Sequence, residues 1–292
     1  MPIKLGTNTI NAIKLGTTTV NKVCVGSTQV FPVSIPIDYT EPFYVQNDNN
    51  YDIDVYWETS DGGSAQTPFP SMPSVFYSTN RNIPLAQWTE VEFDYDLDTN
   101  SLGATVTVPA NSKMYMYLYL TSDSKGLESL TANGTGATTL TCPDQENYSI
   151  GGNAMSLLYG QDFTGSETAF PTGTTHNLSM VFTDPYLVNA GNLLLPATTL
   201  TSHCYDEMFF GSAIVTAPEL PATTLVDGCY NEMFRGCTNL NSINVGATSW
   251  NTSYTNDWLL NASATGTFTK PTNTTIPTGA SGIPSGWTVV NK

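Results

Sequence analysis

Few residues of this chain have the type and spacing to do chemistry. Among 292 residues there are two histidines, His176 and His203, and five cysteines, Cys24, Cys142, Cys204, Cys229 and Cys237. His203 adjoins Cys204, but neighbours on a helix point to different faces, so the pair makes no nucleophile–base dyad. Both histidines read as surface residues. No Cys-x-x-Cys pair occurs, so a zinc ribbon is not indicated. Asp94, Asp96, Asp98 and Asn100 alternate like the oxygens of a calcium loop, but no Gly stands at the sixth position, and Thr105 stands at the twelfth. They read as the acidic outer face of a strand. Asp48, Asp52 and Asp54 likewise read as a solvated loop and strand face. No Gly-x-Ser-x-Gly elbow, phosphate loop or His-Glu-x-x-His helix occurs. The paired carboxylates of glycoside hydrolysis leave no mark in sequence, since only their spatial separation defines them. The expectation is therefore a non-enzyme with no catalytic, cofactor-binding or metal-ligating residue and no cofactor. A glycan-degrading spike stands as a rival. The stripe Tyr115, Tyr117 and Tyr119, with Tyr148, Tyr159 and Tyr186, reads either as a platform for sugar rings or as core and subunit interface.

What positions these residues is a repeat. Leu195-Pro-Ala-Thr-Thr-Leu200 with Cys204-Tyr-Asp-Glu-Met-Phe209 recurs 25 residues later as Leu220-Pro-Ala-Thr-Thr-Leu225 with Cys229-Tyr-Asn-Glu-Met-Phe234. A fixed period of this size marks a stack in which each turn is buried by its neighbours. Leu225, Cys229 and Met233 fall at i, i+4 and i+8, one face of a helix, and Leu200, Cys204 and Met208 repeat that face. Phe209 and Phe234 continue it. These eight residues form the expected repeat core, with the cysteines as small apolar groups rather than a disulfide. Thr223 or Thr224 suits the helix start and Gly236 a left-handed end. The stretch 214–219 is expected to be the short strand that closes each turn.

Asn231-Glu-Met-Phe-Arg-Gly-Cys-Thr-Asn-Leu240 resembles the BspA-like subgroup of leucine-rich repeats, the first copy departing at Gly211-Ser212. Thr265-Gly-Thr-Phe-Thr-Lys-Pro271 with Gly282-Ile-Pro-Ser-Gly-Trp-Thr-Val289 is similar to the usual end of such domains, and Ile150-Gly-Gly-Asn-Ala-Met-Ser-Leu-Leu-Tyr-Gly160 to their entry turns. The likeness covers roughly the last half of the chain and implies an α/β leucine-rich-repeat solenoid with a cap.

The first residues repeat with a period of ten: Lys4-Leu-Gly-Thr-Asn-Thr-Ile10, Lys14-Leu-Gly-Thr-Thr-Thr-Val20 and Cys24-Val-Gly-Ser-Thr-Gln-Val30. Alternating apolar residues around Gly-Thr or Gly-Ser read as short strands and tight turns. So small a segment buries too little to fold alone and needs a partner surface. Leu5, Leu15, Val20, Val25 and Val30 are the expected attachment residues. The pattern resembles N-terminal attachment segments of tailed-phage structural proteins, including those of crAss-like gut phages. Residues 1–37 hold three lysines and no acid, whereas 38–100 hold twelve acids and one base. The net charge of −16 disfavours nucleic acid. No apolar run is long enough for a transmembrane helix, so no membrane insertion is expected. The first residues show no export signal, which favours assembly in a host cytoplasm over the rival reading, a bacterial surface adhesin.

Between these repeats, Tyr51, Ile53, Val55 and Trp57 alternate, as do Val91, Phe93, Tyr95 and Leu97. Met114, Met116, Leu118 and Leu120 share one face of a strand. The expected fold is mainly β and multidomain: a β-repeat attachment segment (1–37), a small β-sandwich-like domain (38–125), leucine-rich repeats (126–264) and a C-terminal cap (265–292). The expected role is a fibre or appendage of a phage virion. Its partners would be other virion proteins through residues 1–37, two further copies in a homotrimer, and a host or mucosal glycan or protein.

Overall fold

The computed structural model of the chain describes residues 40–60, 73–96, 101–120, 138–171 and 173–292, together with six short strands between residues 4 and 31. The described part is mainly β, built from several sheets. The chain divides into two units, Met1–Asp38 and Tyr39–Lys292.

The first unit is three separate two-stranded sheets: β1 (Lys4–Leu5) with β2 (Asn8–Thr9), β3 (Lys14–Leu15) with β4 (Thr18–Thr19), and β5 (Val23–Val25) with β6 (Thr28–Phe31). Lys4 faces Thr9, Lys14 faces Thr19 and Cys24 faces Gln29, so the ten-residue period is one hairpin. Leu5, Leu15, Val25 and Val30 are strand positions. Val20 lies outside the described residues, as do Leu97, Asp98 and Asn100.

In the second unit, β8 (Ile53–Ser60), β11 (Asp94–Asp96), β12 (Ser101–Val108) and β14 (Thr138–Thr141) form one sheet in the order β11-β12-β8-β14. A six-stranded sheet contains β7 (Tyr44–Asn47), β9 (Pro73–Ser78), β10 (Thr89–Glu92), β13 (Ser112–Leu120), β15 (Tyr148–Asn153) and β16 (Leu187–Leu194), in the order β10-β9-β13-β7-β15-β16. Strand alternation sets the buried face. Ile53, Val55 and Trp57 meet Met114, Met116 and Leu118, and all six are buried. Trp57 Nε1 donates to Met116 Sδ at 3.4 Å across the two sheets. β15 pairs antiparallel with β7 and parallel with β16. The segments expected as separate domains on either side of residue 125 thus share one sheet, and pairing changes from antiparallel to parallel at β15.

Beyond β16 the chain coils in layers. The parallel bridges Thr216↔Ser242 and Leu220↔Val245 lead into β17 (Ser242–Asn244), β18 (Gly266–Lys270) and β19 (Trp287–Asn291), which pair in parallel. The strand expected at 214–219 is reduced to the bridge at Thr216. Pro218 has no N–H to give to a ladder. The only α-helix among the described residues is α1 (Ser156–Tyr159), and none of their helices is long and apolar enough to cross a membrane.

The helices expected over 200–209 and 225–234 do not form. Instead, every fourth residue takes a left-handed backbone: His203, Glu207 and Gly211 at φ 54°, 52° and 72°, then Gly228, Glu232 and Gly236 at 60°, 48° and 77°. This cuts the chain into successive tight turns. Between them the amides alternate in direction. The N–H groups of Asp206, Met208 and Phe210 bond within their own layer, to the carbonyls of His203, Tyr205 and Glu207. Those of Tyr205, Glu207 and Phe209 bond forward, to Cys229, Asn231 and Met233, at 3.2, 2.9 and 2.9 Å. Tyr230, Glu232 and Phe234 repeat this toward Tyr254, Asn256 and Trp258. A four-residue turn and a helix share the i, i+4 apolar spacing. A neighbouring layer that accepts half the amides decides for turns.

An unbroken file of aromatic rings runs through both halves of the second unit. Trp57 meets Phe43 at 6.0 Å, and Phe43 stacks on Phe182 at 5.4 Å. Phe182 meets Phe209 at 5.6 Å, Phe209 stacks on Phe234 at 5.4 Å, and Phe234 meets Trp258 at 6.0 Å.

Candidate functional site

The turn layers carry two kinds of column. The inner columns hold the eight residues expected as the repeat core. Leu200, Cys204, Met208, Phe209, Leu225, Cys229, Met233 and Phe234 are all buried. The described cysteines Cys142, Cys204, Cys229 and Cys237 are free and buried. Burial pushes the Cys229 thiol up to about 11 and that of Cys237 to about 12, and the thiolate is the reactive form. Native protein at pH 8 should therefore leave these four thiols unmodified by iodoacetamide, and denatured protein should expose all four. Mass spectrometry of both samples reads this directly. Rapid native labelling of Cys204 or Cys229 would contradict the packed core.

The outer columns are polar and follow from the left-handed positions, which turn their side chains away from the core. His176 (φ 56°) and His203 (φ 54°) occupy the same place in successive layers. Their rings stack with centroids 4.8 Å apart and planes 15° from parallel. Beside them is Asp206. One donor atom from each of the three residues lies within 4.8 Å of the other two, and all three are half-buried. Asn231 Nδ2, one layer on, donates to Asp206 Oδ1 at 2.7 Å. Ser202 Oγ donates to the Asp227 carbonyl at 3.2 Å and lies 2.9 Å from His203 Nδ1. The Ser202 hydroxyl thus lies between the Asp227 carbonyl and His203 Nδ1. Thr175 Oγ1 lies 3.1 Å from His176 Nδ1.

Burial lowers the His176 pKa, with the facing His203 ring adding to the shift. Burial raises the Asp206 carboxyl, partly offset by the Asn231 hydrogen bond and by the two imidazoles. Glu207 is also raised, first by burial and then by Asp206. Glu232 pairs with Arg235 at 2.7 Å, and Arg235 lies over Phe210, 5.8 Å from the ring centre.

A second outer face is made of hydroxyls. Thr198, Thr199, Thr223, Thr224, Thr248 and Ser249 are exposed on successive layers. Thr248 N–H and Oγ1 both donate to the Thr223 carbonyl, at 3.0 and 3.1 Å.

The tyrosines do not form one open platform. Tyr115 packs edge-on to Tyr44 at 5.7 Å, and Tyr117 sits between Trp88 and Phe163 at 5.0 and 6.2 Å. Tyr148 is in the core. Tyr159 donates to the Ala169 carbonyl and Tyr186 to Gln145 Oε1. The side chain of Tyr119 lies outside the described residues. One oxygen of Asp52 accepts from the Ala110 N–H at 2.9 Å, and one of Asp54 accepts from Thr107 Oγ1 at 2.6 Å across the β8–β12 pair.

The histidine pair was missed in sequence, although a signal is there. Thr174-Thr175-His176 aligns with Thr201-Ser202-His203 at a spacing of 27 rather than 25. The shift hides an earlier layer in which the buried Leu178 and Val181 stand where the later copy has Tyr205 and Met208.

No protein-family description, curated protein or solved structure matches this chain.

Proposed function

We propose that the chain is a structural component of a phage virion, a fibre or appendage that displays an adhesive leucine-rich-repeat surface. Residues 1–37 attach it to other virion proteins. The layered segment is the solenoid, 265–292 its C-terminal cap, and three copies make the working assembly. The outward hydroxyl face of Thr198, Thr223 and Thr248 offers donors and acceptors suited to a host or mucosal glycan or protein.

One observation carries this reading. The first unit is three separate two-stranded hairpins, divided from an acidic body that holds the large core. An isolated hairpin is marginal in water, so such a segment serves best as something completed by another surface. Residues 1–37 carry three lysines and no acid, which suits an acidic partner. Deleting residues 1–32 should abolish incorporation into particles while leaving the thermal midpoint of the remaining body unchanged. Gold-tagged antibody against 130–292 should label intact particles at one fixed place. Normal incorporation of the truncated chain, or unlabelled particles, would return it to the class of bacterial surface adhesins.

A further inference from the structure

We propose that His176, His203 and Asp206 form a binding site for a divalent transition-metal ion of the zinc class. The chain has only two histidines, and the turn layers set them face to face with a carboxylate alongside. Two imidazoles and one carboxylate are a donor set for Zn2+, Co2+ or Ni2+, with the remaining positions taken by water.

The surroundings already hold the donors as a bound metal would need. Ligating imidazoles are normally fixed through their second nitrogen, and ligating carboxylates through a hydrogen bond. The Ser202 and Thr175 hydroxyls lie at hydrogen-bond distance from Nδ1 of His203 and of His176, and Asn231 holds one oxygen of Asp206. That leaves His203 Nε2 and Asp206 Oδ2 for the ion. Gly228 is the next residue in the histidine column, and a Cβ there would come within 2.4 Å of His203 Nε2. The glycine keeps the space beside that nitrogen open.

Tetrahedral bonds of about 2.0 Å place donors about 3.3 Å apart. The present spread of up to 4.8 Å closes by rotating the rings about their Cβ–Cγ bonds, where the torsional minimum is broad. Half-burial leaves the ion a route from solvent.

The test uses the full chain without a histidine tag. Titration with Zn2+ in a calorimeter should show saturable uptake of one ion per chain. Titration with Co2+ should broaden both histidine Hε1 resonances together in the proton NMR spectrum. Asn tolerates a left-handed backbone, so the double variant His176→Asn, His203→Asn should keep its circular dichroism and lose binding. Asn231→Ala should weaken binding about 10–100-fold. Absence of saturable Zn2+ uptake by the native chain would overturn the proposal. So would equal binding by the double variant, or Co2+ broadening confined to one histidine. Should the double variant fail to fold, the two resonances of the native chain decide.

Discussion

Replacing Phe234 with alanine should remove about 3–5 kcal/mol of stability and lower the thermal midpoint by roughly 10 °C. Phe234 is completely buried. Its ring stacks on Phe209 with planes 9° apart and touches Trp258 on the other side. The truncation opens a cavity in the middle of the aromatic file. Collapse of that cavity is opposed by the backbone, because Phe234 N–H is tied to the Trp258 carbonyl at 2.9 Å and its carbonyl accepts from Cys237. The lost side chain therefore costs both its transfer energy and the void. Phe234→Leu refills most of the volume and should cost far less. Calorimetric melting of the two variants separates packing from local backbone effects. A loss below about 1 kcal/mol for the alanine variant would mean that the layers are not held through this file.

Gly152→Ala should be comparably damaging, at about 3 kcal/mol or more. Gly152 has φ 75°, and a Cβ there would lie 2.0 Å from the Pro42 carbonyl oxygen. The left-handed strain of a residue with a side chain is about 1–2 kcal/mol, and overpacking against backbone adds about 1–3. The position is in β15, which joins the antiparallel and parallel parts of the large sheet. Gly173 is the control. It has φ 85° and nothing within 4 Å of an added Cβ, so Gly173→Ala carries the strain without the collision. Urea midpoints at constant slope should place Gly152→Ala well beyond Gly173→Ala. Equal shifts for the two would remove the collision from the account.

The sequence is legible where a pattern has one physical cause. Ile53, Val55 and Trp57 alternate because one face of β8 is buried, and the structure buries those residues. The 25-residue copies are legible as equivalent segments, and backbone hydrogen bonds join one to the next. The local form of each unit is misread because Leu225, Cys229 and Met233 fit a helix and a train of tight turns equally well. What decides is the row of carbonyls in the next layer, a contact between residues 24 apart. Glu207 and Glu232 give no hint of a left-handed backbone by residue type. The histidine cluster is hidden for a related reason. Its two rings meet only because two layers of unequal length come into register, and the aspartate beside them is held by an asparagine from a third.

The alternating amides give the stack of turns a direction. Each layer gives its forward N–H groups to the layer after it and receives those of the layer before. One end of the stack is therefore a row of acceptors and the other a row of donors, and part of each is met by the chain itself. At the acceptor end the Val181 carbonyl takes the Leu140 N–H at 2.8 Å. At the donor end the N–H groups of Asp257 and Leu259 go to Ser281 Oγ and the Ala280 carbonyl, at 3.0 and 3.1 Å. A second molecule added head to tail would have to bond at these same groups.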